Sequence, residues 1–378
     1  VTDGLTEGQD DKTTARAVPP QADVRPRVLL LGSDELSREL AVALRHLGAQ
    51  VIAAGDDRAP RVTDAAELSA AIHRLRPDFV VAATDGLAVD ALEAPAAGPE
   101  LVPSARTARL TADREGLRRL AADELGLPTA PFWFVGSLGE LQAVAGHAGF
   151  PLLVKPVAGR GHSVVSGPGD IEPAWRRALG GSAGRVLAEA LVEVEFDVTL
   201  LVVRSEGPHG PLIEFCSPIG HRDADGVVLE SWQPQQMSPA AVDAARSIAA
   251  RIVKALGGRG LFAVELMIKG DEVYFVDVTA RPHPSAWVTL RSQRLSAFEL
   301  QARAILGLPL DTMMMSPGAA HTVNPGHDGG PPAAGALAAA LRVPESDLRG
   351  LGVALATAPD VATARDRARQ VATALNGS

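Results

Sequence analysis

VELMIKGDEVYFVDVTARPH, residues 264–283, sets one carboxylate into each of two apolar runs and closes with Arg281, Pro282 and His283. Residues 264–268 and 273–278 are rich in Val, Ile, Phe and Tyr, and the turn between them contains Gly270 and Asp271, so the stretch reads as a β-hairpin. With a three-residue loop, 270–272, position 269 faces 273 and Glu265 faces Asp277 on one side of the strand pair. A two-residue loop shifts the pairing by one and separates them. Directly opposed like charges cost up to roughly 1 kcal/mol when solvated and more when buried. Such a pair asks for a cation between its members. The plain alternative is a solvated acidic face, and other parts of the chain must decide.

A chain of 378 residues exceeds a single core and predicts two or three domains. Its 46% apolar and 21% charged residues are ordinary for a globular protein. A net charge of −9, with no Lys/Arg cluster interleaved with aromatics, argues against a nucleic-acid partner and for a small one. Cys216 is the only cysteine, which excludes an intrachain disulfide and a metal–thiolate cluster. No apolar run approaches the roughly 18 residues that span a bilayer, and the polar start lacks a signal-peptide core. The expectation is a cytoplasmic protein with no membrane partner.

Residues 1–24 are polar without period and read as a disordered tail. RVLLLGS, DELSRELAVALRHLG and QVIAAGDD then give strand, helix and strand, a parallel α/β unit. DFVVAATD adds a strand whose C-terminal end carries Asp85, where open α/β sheets place ligands. The first turn reads Gly32-Ser33-Asp34-Glu35-Leu36-Ser37 and lacks the glycine fingerprint of a dinucleotide cradle, which disfavours an NAD-dependent oxidoreductase. TADREGLRRLAADELG predicts one helix from Thr111 to Gly126, with Thr111 or Asp113 as its cap. In FPLLVKPVAGRGHSVVSG, Lys155 ends an apolar strand before glycines whose exposed N–H groups suit phosphate; a hairpin with a solvated lysine is the competing reading. Glu189 ends one later strand and Asp197 begins the next. Further on come a charged hairpin tip at 223–226, a helix over 239–256, a Gly/Pro-rich connector, a strand at LGVALATA and a C-terminal helix.

Lysine on a strand, Gly-rich loop, Glu189 and the acidic hairpin, in that order, resemble the ATP-grasp superfamily. More closely, LTADREGLRRLAADELGLPT, LLVKPV, PIGHRDADGVVLESWQPQQMSP, GLFAVEL, ARPH, VTLRSQ and LGVALATA resemble the formate-dependent phosphoribosylglycinamide formyltransferases. The resemblance implies an α/β and α+β fold: a pre-ATP-grasp, Rossmann-like domain over 25–110, an ATP-grasp domain over 111–308 and a small C-terminal domain over 309–378. It implies ATP and Mg²⁺ as cofactors, formate and an amine as substrates, and a homodimer. Arg114 and Lys155 would meet ATP phosphates, with Gly159, Arg160, Gly161 and His162 closing over them. Glu189 and the backbone near Val192 would meet adenine, and Asp197 the ribose. Glu265 and Asp277 would hold Mg²⁺, which answers the hairpin's repulsion. Arg281 would stabilise charge on the transferred groups, while Glu35, Leu36, Asp85, Pro284 and Arg349 would line the acceptor site.

The chain also departs from that family. Its ATP loop is shorter and Arg160 takes the place of a lysine; Asp277 stands for a glutamate, and so does Asp85. After Arg281-Pro282-His283 the family usually has an aspartate, whereas this chain has Pro284. Before LGVAL, Arg349 matches one arginine of a pair, Gly350 replaces the other, and Val343 stands for a lysine, with Arg342 a substitute. Losing two cations weakens a phosphate site by several kcal/mol, at roughly 1.5–3 kcal/mol per charge-assisted hydrogen bond. The expectation is a formate-activating carboxylate–amine ligase whose acceptor has diverged from glycinamide ribonucleotide. The purine formyltransferase itself, a carboxylating ATP-grasp enzyme and a non-catalytic nucleotide-binding homologue are the alternatives.

Overall fold

Most strands form where the apolar runs predict them. Gly318–Thr322, at the start of the stretch read as a Gly/Pro-rich connector, and Ser346–Arg349 form strands that the sequence did not predict, since pairing with neighbours supplies what their composition lacks. Together the strands assemble into three sheets. The computed structural model describes residues 25–53, 65–83, 98–157, 162–180, 184–207, 210–224, 227–323, 333–350 and 352–376. The proposed tail therefore lies outside the described residues, as do the centre of the Gly/Pro connector and residues 225–226 of the charged hairpin tip.

The first sheet is parallel, in the order β2-β1-β3-β4, from β1 (Arg27–Leu31), β2 (Gln50–Ile52), β3 (Phe79–Ala82) and β4 (Glu100–Val102). Helix Glu35–His46 follows β1. Asp34 caps it by accepting from the Ser37 N–H at 2.8 Å. The second sheet is antiparallel, in the order β5-β8-β6-β7, from β5 (Phe132–Val135), β6 (Leu152–Pro156), β7 (Ser163–Val165) and β8 (Val186–Ala190).

The third sheet holds β9 (Phe196–Gly207), β10 (Gly210–Phe215), β11 (Ile219–Ala224), β12 (Val227–Gln233), β13 (Gly260–Lys269), β14 (Glu272–Thr279), β15 (Gly318–Thr322), β16 (Ser346–Arg349) and β17 (Val353–Thr357). Its order is β14-β13-β9-β11-β12-β15-β17-β16, with β10 also on β9. The C-terminal strands thus extend the sheet that carries the acidic hairpin. Period-two alternation along β9 explains its central place. Val198, Leu200 and Val202 pack on one face with Phe262, Phe275 and helix Pro239–Leu256. Leu201 and Val203 pack on the other with Leu261, Ala263 and helix Ala297–Leu306. That second face changes character along the strands. Thr199 and Asp197, paired with Glu265 and Met267, continue it as a polar floor.

The hairpin reaches its expected pairing by an unexpected route. The turn is two residues, Gly270 and Asp271, because Lys269 pairs with Glu272; of the two loop lengths the sequence allowed, this is the one that would by itself separate the carboxylates. Ile268, Met267 and Leu266 pair with Val273, Tyr274 and Phe275, and the register then jumps so that Glu265 faces Asp277. Val276 is the extra residue. This bulge restores what the short turn alone would have lost, since without it Glu265 would face Val276.

Phe275, wholly buried under the bulge, anchors this arrangement. Phe275→Ala is expected to lower the unfolding free energy by about 3–5 kcal/mol in urea denaturation. A loss below about 1 kcal/mol would show that the hairpin is not held by that packing.

Candidate active site

The helix predicted from Thr111 to Gly126 is broken at Asp113. Helix Ala105–Ala112 ends there and helix Arg114–Arg119 begins, passing into a π-helical turn at Leu120–Glu124. Asp113 is extended (φ −99°, ψ 93°), and its carboxylate lies over Gly116, where a Cβ would come within 2.4 Å of it. The second helix sets Arg114 and Arg118, one turn apart, on the same face. Arg114 donates to the Pro156 carbonyl at the end of β6. Arg118 donates to Glu189 and, at 3.3 Å, to the Phe275 carbonyl, with its guanidinium 5.5 Å from the Phe132 ring centroid.

Lys155 and Glu189 share a face of the second sheet, since Lys155 pairs with Leu187 and Glu189 lies two residues further along β8. Their side chains form an ion pair, and Arg118 completes it from the other side. Glu189 is only 3% exposed. Burial pushes its carboxyl up, but Arg118 and Lys155 outweigh burial and hold it below the usual carboxylate range. Three cations around one buried carboxylate leave a positive surplus beside the start of the Gly-rich loop. Gly159, Arg160 and Gly161 of that loop lie outside the described residues, and His162 follows them, exposed. Val192 lies in the link from β8 to β9, half-buried, and Asp197 stands near the start of β9.

The opposed carboxylates face this cationic group. Burial, then the charge on Glu265, pushes the Asp277 carboxyl up to about 6, against the pull of a 2.7 Å hydrogen bond from the Val278 N–H and of Arg114 and Arg118. Burial also raises Glu265, with His221 opposing it. His283 places Nε2 3.4 Å from Glu265 Oε1, while its Nδ1 accepts from the Ser285 N–H at 3.2 Å. Among the described residues no group of three or more Asp, Glu, His or Cys forms a metal cage. Two carboxylates with no third protein ligand fit Mg²⁺, which keeps waters and substrate phosphates in its shell. Arg281 follows β14, half-buried.

Of the acceptor candidates, Glu35 and Arg349 come near each other, between the first helix and the C-terminal strands. Glu35, beside Leu36 in the opening turn of helix Glu35–His46, lies against Gly350: a Cβ there would come within 2.9 Å of Glu35 Oε1. Gly350 also has φ +55°, so close approach and backbone both favour glycine where the family has an arginine. Arg349 lies 3.6 Å from Asp347, and its Nε is buried with no hydrogen-bond partner among the described residues. Pro284 opens a short 3₁₀ turn, Pro284–Val288, where its missing N–H costs nothing. Asp85 lies outside the described residues. Sequence reasoning missed Arg118, whose spacing from Arg114 was its only signal. It also missed His221, which looked like one more polar residue near a charged tip.

Two outcomes test this electrostatic layout. Arg118→Ala leaves Glu189 buried with half its compensation and is expected to cost about 3–5 kcal/mol of stability; a change under 1 kcal/mol in chemical denaturation would contradict the buried pairing. Asp277 binds its proton more tightly when folded than when unfolded, since its carboxyl rises from an ordinary 3.8 to about 6. The ligand-free protein therefore has that group's full stability below about pH 4 and loses it as pH rises through about 6. Asp277→Asn should accordingly stabilise the ligand-free protein at pH 8 by roughly 1–2 kcal/mol, with the gain fading by pH 4. A destabilised variant at pH 8 would mean that the pair is not in conflict.

Comparison with known proteins gives the family. Residues 120–298 match the ATP-grasp domain family. A formate-dependent phosphoribosylglycinamide formyltransferase of Paraburkholderia xenovorans is 44% identical over 94% of this chain and 96% of that protein. The solved structure of a glycinamide-RNase-transformylase T from Mycobacterium tuberculosis is 64% identical, with a TM-score of 0.81 over 93% of this chain and all of that one. A carboxyaminoimidazole ribonucleotide synthase from Aspergillus clavatus, complexed with ATP, is 21% identical with a TM-score of 0.79, a likeness of fold. No helix of the described residues is long and apolar enough to cross a membrane. With such identity over nearly the whole chain, the protein belongs to the formate-dependent phosphoribosylglycinamide formyltransferase family of ATP-grasp enzymes.

Proposed function

We propose that the protein activates formate with ATP and Mg²⁺ as an acyl phosphate and transfers the formyl group to the amine of glycinamide ribonucleotide. The carrying observation is the half-buried Glu265–Asp277 pair, directly opposed across two strands and set toward the Arg114, Arg118 and Lys155 cluster. A formate oxygen attacks the γ-phosphorus, ADP leaves, and the amine then displaces phosphate from the formyl carbon. No nucleophilic side chain is needed. Cys216, buried and pushed up to about 12 by burial, is a structural thiol.

Each residue then has a physical task. Lys155 and Arg114 would neutralise the phosphates, and the bridge to buried Glu189 holds Lys155 for that task. Glu189 is so tightly paired that adenine recognition falls to the backbone near Val192, with Asp197 on the ribose. Mg²⁺ between Glu265 and Asp277 would neutralise charge on the transferred phosphoryl group. Arg281 stands beyond the pair to stabilise charge on the acyl group. Glu35, Leu36 and Arg349 line the acceptor side, and the buried Arg349 Nε offers a donor to a phosphate or hydroxyl.

A second reading keeps the chemistry but changes the amine. Pro284 and Gly350 favour it, because both remove side chains that the family usually offers to the acceptor. ADP release with ATP, Mg²⁺ and formate, against acetate and no acid, with and without glycinamide ribonucleotide, separates the two. Turnover needing both formate and the ribonucleotide is expected. Formate-dependent turnover indifferent to the ribonucleotide supports the second reading, and no acid-dependent turnover contradicts both. Lys155→Met should lower that turnover by at least about 10²-fold; a change below about tenfold would remove Lys155 from the phosphate site.

A further inference from the structure

We propose that His221 is the general base that takes the proton from the attacking amine, with Asp223 as the residue that positions it. The proposal rests on the formyl-transfer reading above. His221 lies on β11, opposite Asp197 of β9, on the polar floor that continues through Thr199 to Glu265. It is 7% exposed. Its Nδ1 is 2.9 Å from Asp223 Oδ1, and its ring centroid is 5.9 Å from that of His283, which touches Glu265. Its Nε2 is buried and has no hydrogen-bond partner among the described residues.

These contacts fix the chemistry of the ring. An ionised carboxylate only accepts, so Asp223 holds the ring proton on Nδ1 and leaves the Nε2 lone pair bare. A buried polar atom without a partner is costly and is rarely kept without a role. The charged groups facing the ring are Asp223 on its own strand, Asp197 on β9, Glu265 on β13 and His283 after β14. Burial lowers the ring's basicity, but the Asp223 hydrogen bond and the three carboxylates outweigh it and make the imidazole a stronger proton acceptor. The dyad thus has the form of an oriented histidine base, with a carboxylate on one ring nitrogen and the other left open.

The step balances as follows. The amine nitrogen attacks the formyl carbon with its lone pair and the N–C bond forms. The C–O bond to phosphate breaks, and its electron pair leaves with inorganic phosphate. The N–H proton passes to His221 Nε2, and the imidazolium later releases it to solvent. Activation of formate moves no such proton and does not use His221.

That asymmetry gives the test. Wild type, His221→Gln and Asp223→Asn are each given ATP, Mg²⁺ and formate with either hydroxylamine or glycinamide ribonucleotide. Hydroxylamine traps the acyl phosphate as formohydroxamate without needing a base. His221→Gln is expected to keep hydroxamate formation within about threefold while losing formyl transfer by about 10²–10⁴-fold, with the acidic limb of its kcat/KM profile for the amine gone. Asp223→Asn should show a smaller loss and a displaced limb. Equal loss in both arms, or unchanged transfer, overturns the proposal. Wild type that forms no hydroxamate would instead sink the ligase reading. A direct check needs no acceptor and no variant: ¹⁵N NMR of the wild-type ring at pH 9 should find the proton on Nδ1, and a proton on Nε2 overturns the assignment.

Discussion

Two half-buried carboxylates held face to face are the constraint around which the rest of this molecule is organised. Glu265 and Asp277 repel each other on adjacent strands, and burial deepens the conflict. The chain nonetheless inserts an extra residue, Val276, to bring them into register. A slip of one residue would have sent one carboxylate to the opposite face. Packing of Phe262, Phe275 and Val264 under the hairpin holds the strained register, so the apolar face stabilises what the polar face destabilises. Destabilisation of this kind belongs to sites that await a ligand.

The second sheet solves the opposite problem. Arg118 and Lys155 surround Glu189, and the buried bridge contributes more to geometry than to net stability. It ties the broken helix at Asp113 to β6 and β8 and leaves the positive surplus pointing toward the carboxylate pair. Opposite charges thus sit on two sheets joined by the short link from β8 to β9.

Much of this was legible in the sequence because its signals are local. Apolar alternation and turn residues specify the strands of the hairpin, and family-like stretches such as ESWQPQQMSP and LLVKPV specify the superfamily and the branch. What escaped depends on contacts distant in sequence or on single-residue geometry. A bulge has no compositional mark, so the sequence left the register open between two turn lengths and could not show that a two-residue turn with Val276 as the extra residue gives the opposed pair. The break at Asp113 was hidden by a continuous helical pattern on both sides. Arg118 gains its meaning only from Glu189, 71 positions away. Gly350 read as a lost arginine, whereas the fold shows a left-handed backbone pressed against Glu35.

Metal placement tests the central claim most directly. A crystal grown with Mn²⁺ and a non-hydrolysable ATP analogue should show an anomalous peak bonded to both Glu265 and Asp277 and to analogue phosphates. A peak elsewhere, or ordered triphosphate with the two carboxylates bonded only to each other through a shared proton, would contradict the account.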